Sequence, residues 1–451
     1  MLNELATAVR ERRVSAEELV AEALRRIDRD DTALGSVVAL QPEEALEAAR
    51  QSSGEGPLAG VPFLVKDLAR CAGMATTYGS ILYRDAPVDE SDDTTVARLR
   101  AAGAIPIGKT NTPAFGHTAL TTNLLFGATR NPWNTDRSPG GSSGGSAAAL
   151  AAGLVPIATS SDGGGSVRIP ASLCGLVGYK PTTGAIGRDG SPRWIDFSTW
   201  GATGHSVADV LAEAAVYLGP TQGDVLSLPP ASVDVAPARP RRVLLCRTLR
   251  GGVDPQVEAA LRDAASTLDE LGMHVDEIDN PIPGALWWWV VIAAADLAHS
   301  LDAHRDRWSE LEPTLQQLLH VADRTSLTDY ITARRQRYAV CGVLDGLLGD
   351  DTVLVTPTLN AVSFPADATA LPVLIGDVEE AGVFANTPEA NLTGHPGVSV
   401  PIGRDDAGVP IGMQIIAPRW RDGLALGVAA AIEAARPWPT HPEGYEPFPV
   451  P

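Results

Sequence analysis

Apolar residues recur three and four apart through residues 3–50, which predicts two or three amphipathic helices. Ser15 with Glu18 forms a capping box ahead of the run AEELVAEALRRI. From Leu58 the texture changes. Short apolar runs, VPFLV (61–65) and AIPIG (104–108), flank a helical pattern, TTVARLRAAG (94–103). From Arg242 the alternation returns as VLLCR, a helix over PQVEAALRDAASTLDELG closed by Gly272, and HVDEID. Residues 285–347 read as mainly helical, opening with Trp287, Trp288 and Trp289. VLVTP (353–357), VSVPIG (398–403) and IGMQIIAP (411–418) read as buried strands, and LALGVAAAIEAA as a last helix. This alternation predicts an α/β protein. No repeat of 20–50 residues interrupts it.

At 451 residues the chain exceeds the usual length of one domain, yet no low-complexity linker divides it. The Pro/Ala stretch 229–240 is the nearest candidate and reads as an exposed connection inside one large unit or ahead of an inserted subdomain. Thirty-five Lys and Arg against 55 Asp and Glu give a formal net charge of −20, which argues against nucleic acid or an anionic membrane as partner. Cys71, Cys174, Cys246 and Cys341 lie far apart, with no C-x-x-C pair, so they build neither a zinc motif nor a disulfide framework. The N-terminus lacks an apolar signal core, and the most apolar stretch, Leu286 to Ala295, is too short to span a bilayer. A cytoplasmic location is expected.

Candidate chemistry concentrates in a glycine-laden stretch from Ser138 to Gly184. Ser142 and Ser166 are each embedded in glycine, with a helix-like run of alanine and leucine between them. Serine is a poor nucleophile until a base removes its proton. Glycines let backbone N–H groups crowd around a developing negative charge. Upstream, Lys66 sits behind Leu64 and Val65 in GVPFLVKD, and a desolvated lysine sheds its charge and becomes a base. Two other motifs compete. Gly103–Thr110 satisfies the phosphate-loop pattern, but its Ile-Pro-Ile interior favours an extended strand followed by a turn. Ser142 and Ser143 each satisfy G-x-S-x-G, the nucleophile elbow, with His205 or His395 as the downstream histidine. An elbow leaves the second glycine–serine cluster unexplained.

Lys66, the run Gly140–Ser146 and the run Asp162–Arg168 together resemble the amidase signature family. GAIPIGKTN, FGATRNPWN, VTPT and NLTGHPGVSVPIG resemble further family segments in family order, across nearly the whole chain. The resemblance implies an amidase signature fold over 1–451, with a central mixed β-sheet covered by helices on both faces: a helical part (1–57), a signature core (58–220), an α/β and helical insertion (241–350) and a C-terminal part completing the core (351–451). It implies amide hydrolysis without metal or cofactor, with Ser166 as nucleophile, Ser142 as proton relay behind a cis Gly141–Ser142 peptide, and Lys66 as base. Gly163, Gly164, Gly165 and Ser166 would supply the oxyanion hole. Ser143, Asp162 and Arg168 would support the network. The chain departs from the family at Ala114, where Glu is common, and at Gly163, where Thr is common. Ile169 after Arg168 differs from the RQPA of the glutaminyl-tRNA amidotransferases and favours a stand-alone amidase, with a transferase subunit or a biosynthetic acyl transferase as alternatives. Trp194, Trp200, Trp287, Trp288 and Trp289 are candidate pocket residues, with Phe197 beside them; at helical spacing at most one or two of the three adjacent tryptophans face the same way. The expected partner is a small-molecule amide, and a homodimer is the default assembly.

Overall fold

The computed structural model describes residues 1–189, 194, 196–368 and 386–450. Three helices, Leu2–Arg10, Ala16–Leu34 and Pro42–Arg50, occupy the N-terminal part. The Ser15 hydroxyl accepts from the Glu18 N–H at 3.1 Å, and the Glu18 carboxylate accepts from the Ser15 N–H at 2.8 Å, closing the capping box. A four-residue strand, Val37–Leu40, interrupts the helices and pairs antiparallel with Ile105–Thr110. Its four residues are too few for periodicity to announce it.

Two sheets meet near the chemistry. One runs Val37–Leu40, Ile105–Thr110, Pro62–Lys66, Ile157–Ala158. The other has eight strands, in the order His274–Glu277, Arg242–Leu245, Thr352–Pro357, Pro410–Ile416, Gly397–Arg404, Val177–Lys180, Thr199–Gly204, Ser160–Asp162. Parallel and antiparallel pairs mix in the larger sheet. Ile157–Ala158 and Ser160–Asp162 are separated only by Thr159, so one short segment is the edge strand of both sheets. Thr159 holds the junction: its N–H donates to the Leu64 carbonyl, and its hydroxyl accepts from the Lys66 N–H at 2.9 Å.

Strand alternation sorts the larger sheet's residues between two faces. Val177, Tyr179, Val398 and Val400 pack with helices Pro255–Glu270 and Asp422–Ala435. The short helix Arg168–Cys174 lies against the opposite face, with Ala171 over Gly178 and Ser172 over Gly412. Farther along, Leu244, Leu354 and Ile416 bury against helices Ala285–Ser300 and Leu327–Leu348. Helices therefore cover both faces of a mixed sheet. Gly103–Thr110 is a turn and a buried strand, and the Lys109 ammonium inside it bonds the Ala69 carbonyl and the Thr76 hydroxyl rather than facing a phosphate cradle.

Candidate active site

Lys66 ends a strand, Pro62–Lys66, that is buried along its whole length. Its Nζ lies 2.8 Å from Ser142 Oγ, 2.8 Å from Ser143 Oγ and 3.1 Å from Ser161 Oγ. The neighbouring Asp67 pairs instead with Lys109, at 3.6 Å. Burial pushes the Lys66 pKa down to about 7, and the negative charge of Asp162 opposes the shift. The ammonium is thus easily discharged near neutral pH.

Ser142 and Ser143 sit at the start of helix Gly144–Ala151, and the Gly141–Ser142 peptide is cis. Ser166 stands one residue ahead of Val167, the cap of helix Arg168–Cys174, and its carbonyl accepts from the Ser143 N–H at 3.3 Å. Ser142, Ser166, Ser161, Gly163 and Gly164 line one narrow cavity.

The glycine loop is held from below. Asp162 accepts from the Gly165 N–H at 2.7 Å and the Val167 N–H at 3.1 Å. It also pairs with Arg168 at 2.8 Å and accepts from Asn391 at 2.9 Å. Burial is outweighed by Arg168, the charge of Lys180 and the Asn391 hydrogen bond, which hold the carboxyl well below the usual range. Arg168, wholly buried, donates onward to the Thr387 carbonyl at 2.9 Å and to Gln414 and Asn391. Gly165 has φ +127°, and an added Cβ would stand 2.1 Å from Thr387 Oγ1, so no side chain fits. At Gly164 a Cβ would stand 2.5 Å from Trp289 Cζ2.

This bonding corrects one expectation. The Gly165 N–H is spent on Asp162 and is not free for an oxyanion. The N–H groups of Gly163, Gly164 and Ser166 make no bond to any described residue. Of the four N–H groups expected to face an oxyanion, three are unpaired among the described residues.

The tryptophans divide. Trp289 and Trp194 line the cavity and stack with centroids 5.7 Å apart, and Trp289 Nε1 donates to the Gly163 carbonyl at 2.9 Å. Phe197 stacks behind Trp289 at 6.3 Å. Trp287 and Trp288 line a separate surface groove with Gln317 and His320, while Trp289, the next residue round the helix, faces the cavity. Trp200 lines an adjoining chamber rather than the cavity holding Ser166. Of the segment around Trp194, residues 190–193 and 195 lie outside the described residues.

Several contributors escaped the sequence reading. Ser161 precedes Asp162 directly and was within reach of a search around the second glycine cluster. Asn391 opens the NLTGHPG segment but nothing in the sequence tied it to the loop, and Thr387 and Gln414 had no signal, because more than 200 residues separate all three from the loop they brace. His117 also lines the cavity; its Nδ1 bonds the Ala114 carbonyl at 2.8 Å, and burial pushes its pKa down to about 4, so it is neutral at pH 7. The elbow histidines lie elsewhere. His205 stacks on His441 with centroids 4.3 Å apart, and His395 faces Asp345 at 3.3 Å. Cys341, Asp345 and His395 bring three potential metal-ligand atoms within 4.8 Å of one another. Arg419 already pairs with that carboxylate at 2.7 Å.

A family model described as Amidase matches residues 18–426. The chain is 35% identical to an acylamidase of Rhodococcus erythropolis, over 96% of this chain and 95% of that protein. It is 34% identical to a glutamyl-tRNA(Gln) amidotransferase component of Thermus thermophilus, over 96% of this chain and 97% of that one. The crystal structure of a bacterial aryl acylamidase, an amidase signature enzyme, superposes with a TM-score of 0.88 at 29% identity, covering 96% of both chains. The chain belongs to the amidase family of amidase signature enzymes. Its reaction is amide hydrolysis.

Proposed function

We propose that Ser166 attacks the amide carbonyl, that Ser142 carries its proton to Lys66, and that Gly163, Gly164 and Ser166 donate their N–H groups to the oxyanion. The observation that carries this reading is a wholly buried lysine whose Nζ stands 2.8 Å from Ser142 Oγ with no carboxylate in ion-pair contact among the described residues. A neutral amine has one lone pair, which takes the proton that Ser142 passes on; the hydroxyl of Ser142 accepts and donates at once. The tetrahedral intermediate places its negative oxygen before the three unpaired N–H groups, and loss of one such donor typically lowers the rate ~100- to 1000-fold. The proton then returns through Ser142 to the nitrogen, which leaves as an amine, and water releases the acid from Ser166 by the same relay.

The substrate in this reading is a small linear or cyclic amide, and nucleic acid is not a partner, in keeping with the net charge of −20. No helix among the described residues is long and apolar enough to cross a membrane. The same reading takes the cytoplasm as the setting, supported by four free cysteines, and a homodimer as the assembly. Amine or ammonia release from simple amides and from glutamine, measured for the wild type and for Ser166→Ala and Ser142→Ala, tests it. Turnover of simple amides that collapses in both variants is expected. Glutamine as the sole substrate would point to a component of an amidotransferase, and full activity in Ser166→Ala would contradict the assignment.

A further inference from the structure

The cavity holding Ser166 is a slot of about 60 Å³, and it opens into a chamber of about 590 Å³. The two share Leu68, Ser161, Trp194 and Ser198. Their walls differ in character. The slot presents Trp289, Ile169 and His117 beyond its reacting groups. The chamber presents Arg70, Asp93, Arg188 and Asp189 beside Tyr78 and Trp200. Arg70 Nε pairs with Asp93 at 2.9 Å, while its Nη2 makes no bond to any described residue. Arg188 Nη1 donates to the Ser198 carbonyl at the mouth between the two spaces, at 2.6 Å. A bound group that fills such a chamber must replace the water on these charges with polar atoms of its own.

From this arrangement we infer that the enzyme cleaves amides with a compact apolar acyl group and a polar, anionic amine arm, the acyl group in the slot and the amine arm in the chamber. The inference rests on the Ser166–Ser142–Lys66 reading, which sets the orientation. The leaving nitrogen must receive its proton from the Ser142–Lys66 side of the carbonyl carbon. On that side the wall is Leu68, two residues beyond Lys66, and Ser161, whose Oγ is 3.1 Å from Lys66 Nζ; both belong equally to the chamber. The substituent on nitrogen therefore leaves the slot past Ser161 and enters the chamber. The acyl substituent stays against the indole of Trp289, whose Nε1 is fixed on the Gly163 carbonyl at 2.9 Å. Arg70 then offers its free N–H groups to a carboxylate on the amine arm.

Two isomers that differ only in the direction of the amide test this. Phenylacetylglycine carries the phenyl ring on the acyl side and the carboxylate on the amine side, and N-benzylmalonamate carries them reversed. Phenylacetylglycine is expected to show kcat/KM at least ~10-fold above its isomer. Arg70→Gln is expected to raise KM for phenylacetylglycine while leaving turnover of phenylacetamide, which has no arm, unchanged. Equal rates for the two isomers, preference for N-benzylmalonamate, or an Arg70→Gln effect equal on both substrates would overturn the arm assignment while Ser166 chemistry stands. Absence of all amide turnover together with absence of Ser166-dependent labelling by a fluorophosphonate would overturn the catalytic reading, and this inference with it.

Discussion

Lys66 has three hydroxyls around its Nζ and no carboxylate partner among the described residues, so burial dominates its proton affinity. With the pKa brought down to about 7, kcat/KM should rise with pH through neutrality and level off above it, as the neutral amine becomes the major form. A pH profile with no inflection near 7 would detach Lys66 from the rate. Lys66→Met should lower kcat ~100- to 10,000-fold, the usual worth of a general base. Stability responds to the same group. The folded pKa is about 7 and the ordinary one 10.5, so between these values the unfolded chain binds the extra proton and stability rises with pH. Below neutrality the folded state carries the full cost of the buried charge. Lys66→Met should therefore melt above the wild type at pH 7, with the gap narrowing toward pH 10, in a series of thermal melts. Lys66 stood out in the sequence only when its apolar neighbours, Leu64 and Val65, were read together with the two glycine–serine clusters. Which N–H groups stay free was not legible, because the capture of the Gly165 N–H by Asp162 is a matter of loop geometry rather than residue type.

The glycine loop is a rigid element, fixed by Asp162 and Arg168 below and Trp289 above. Asp162→Asn leaves the Arg168 guanidinium buried with no counter-charge, which should cost about 3–5 kcal/mol in denaturant unfolding. Gly164→Ala drives a methyl into the Trp289 ring, so kcat/KM should fall ~100-fold or more as the donors before the oxyanion shift. The two residues are in contact, and their effects should not add: Gly164→Ala/Trp289→Ala should recover part of the Gly164→Ala loss in a double-mutant cycle. Additive losses would mean that the ring is not what holds the loop. At this scale the long periodic helices were readable, from Ala16–Leu34 to Pro255–Glu270. The strands Ser160–Asp162, Val177–Lys180 and Thr199–Gly204 were not, since serine, glycine and lysine carry no strand pattern and only pairing makes them strands. The tryptophan run announced itself as a group, and helix rotation chose Trp289 from it.

Across the whole molecule, the site forms where the two sheets share an edge. Lys66 comes from the smaller sheet, Asp162 and the glycine loop from the end of the larger one, and Thr159 fixes their spacing. Thr387, Asn391 and Gln414 arrive from the far end of the chain, which is why the architecture and the local supports Asp162 and Arg168 could be named from motifs while the distant braces could not. The net charge of −20 acts at the same scale. Self-repulsion opposes the compact state, so Tm should rise as salt increases from ~0.01 M to ~0.15 M and the Debye length shrinks from ~30 Å to ~8 Å. A Tm that falls with salt would instead place the balance with surface ion pairs such as Arg50–Glu17.

The central claim is that one serine, activated through Ser142 by Lys66, becomes covalently acylated. Intact-protein mass spectrometry after fluorophosphonate treatment of the wild type, Ser166→Ala and Lys66→Ala reads it most directly. The predicted result is a single adduct on the wild type, none on Ser166→Ala and strongly slowed labelling of Lys66→Ala. An adduct that persists in Ser166→Ala would contradict the account.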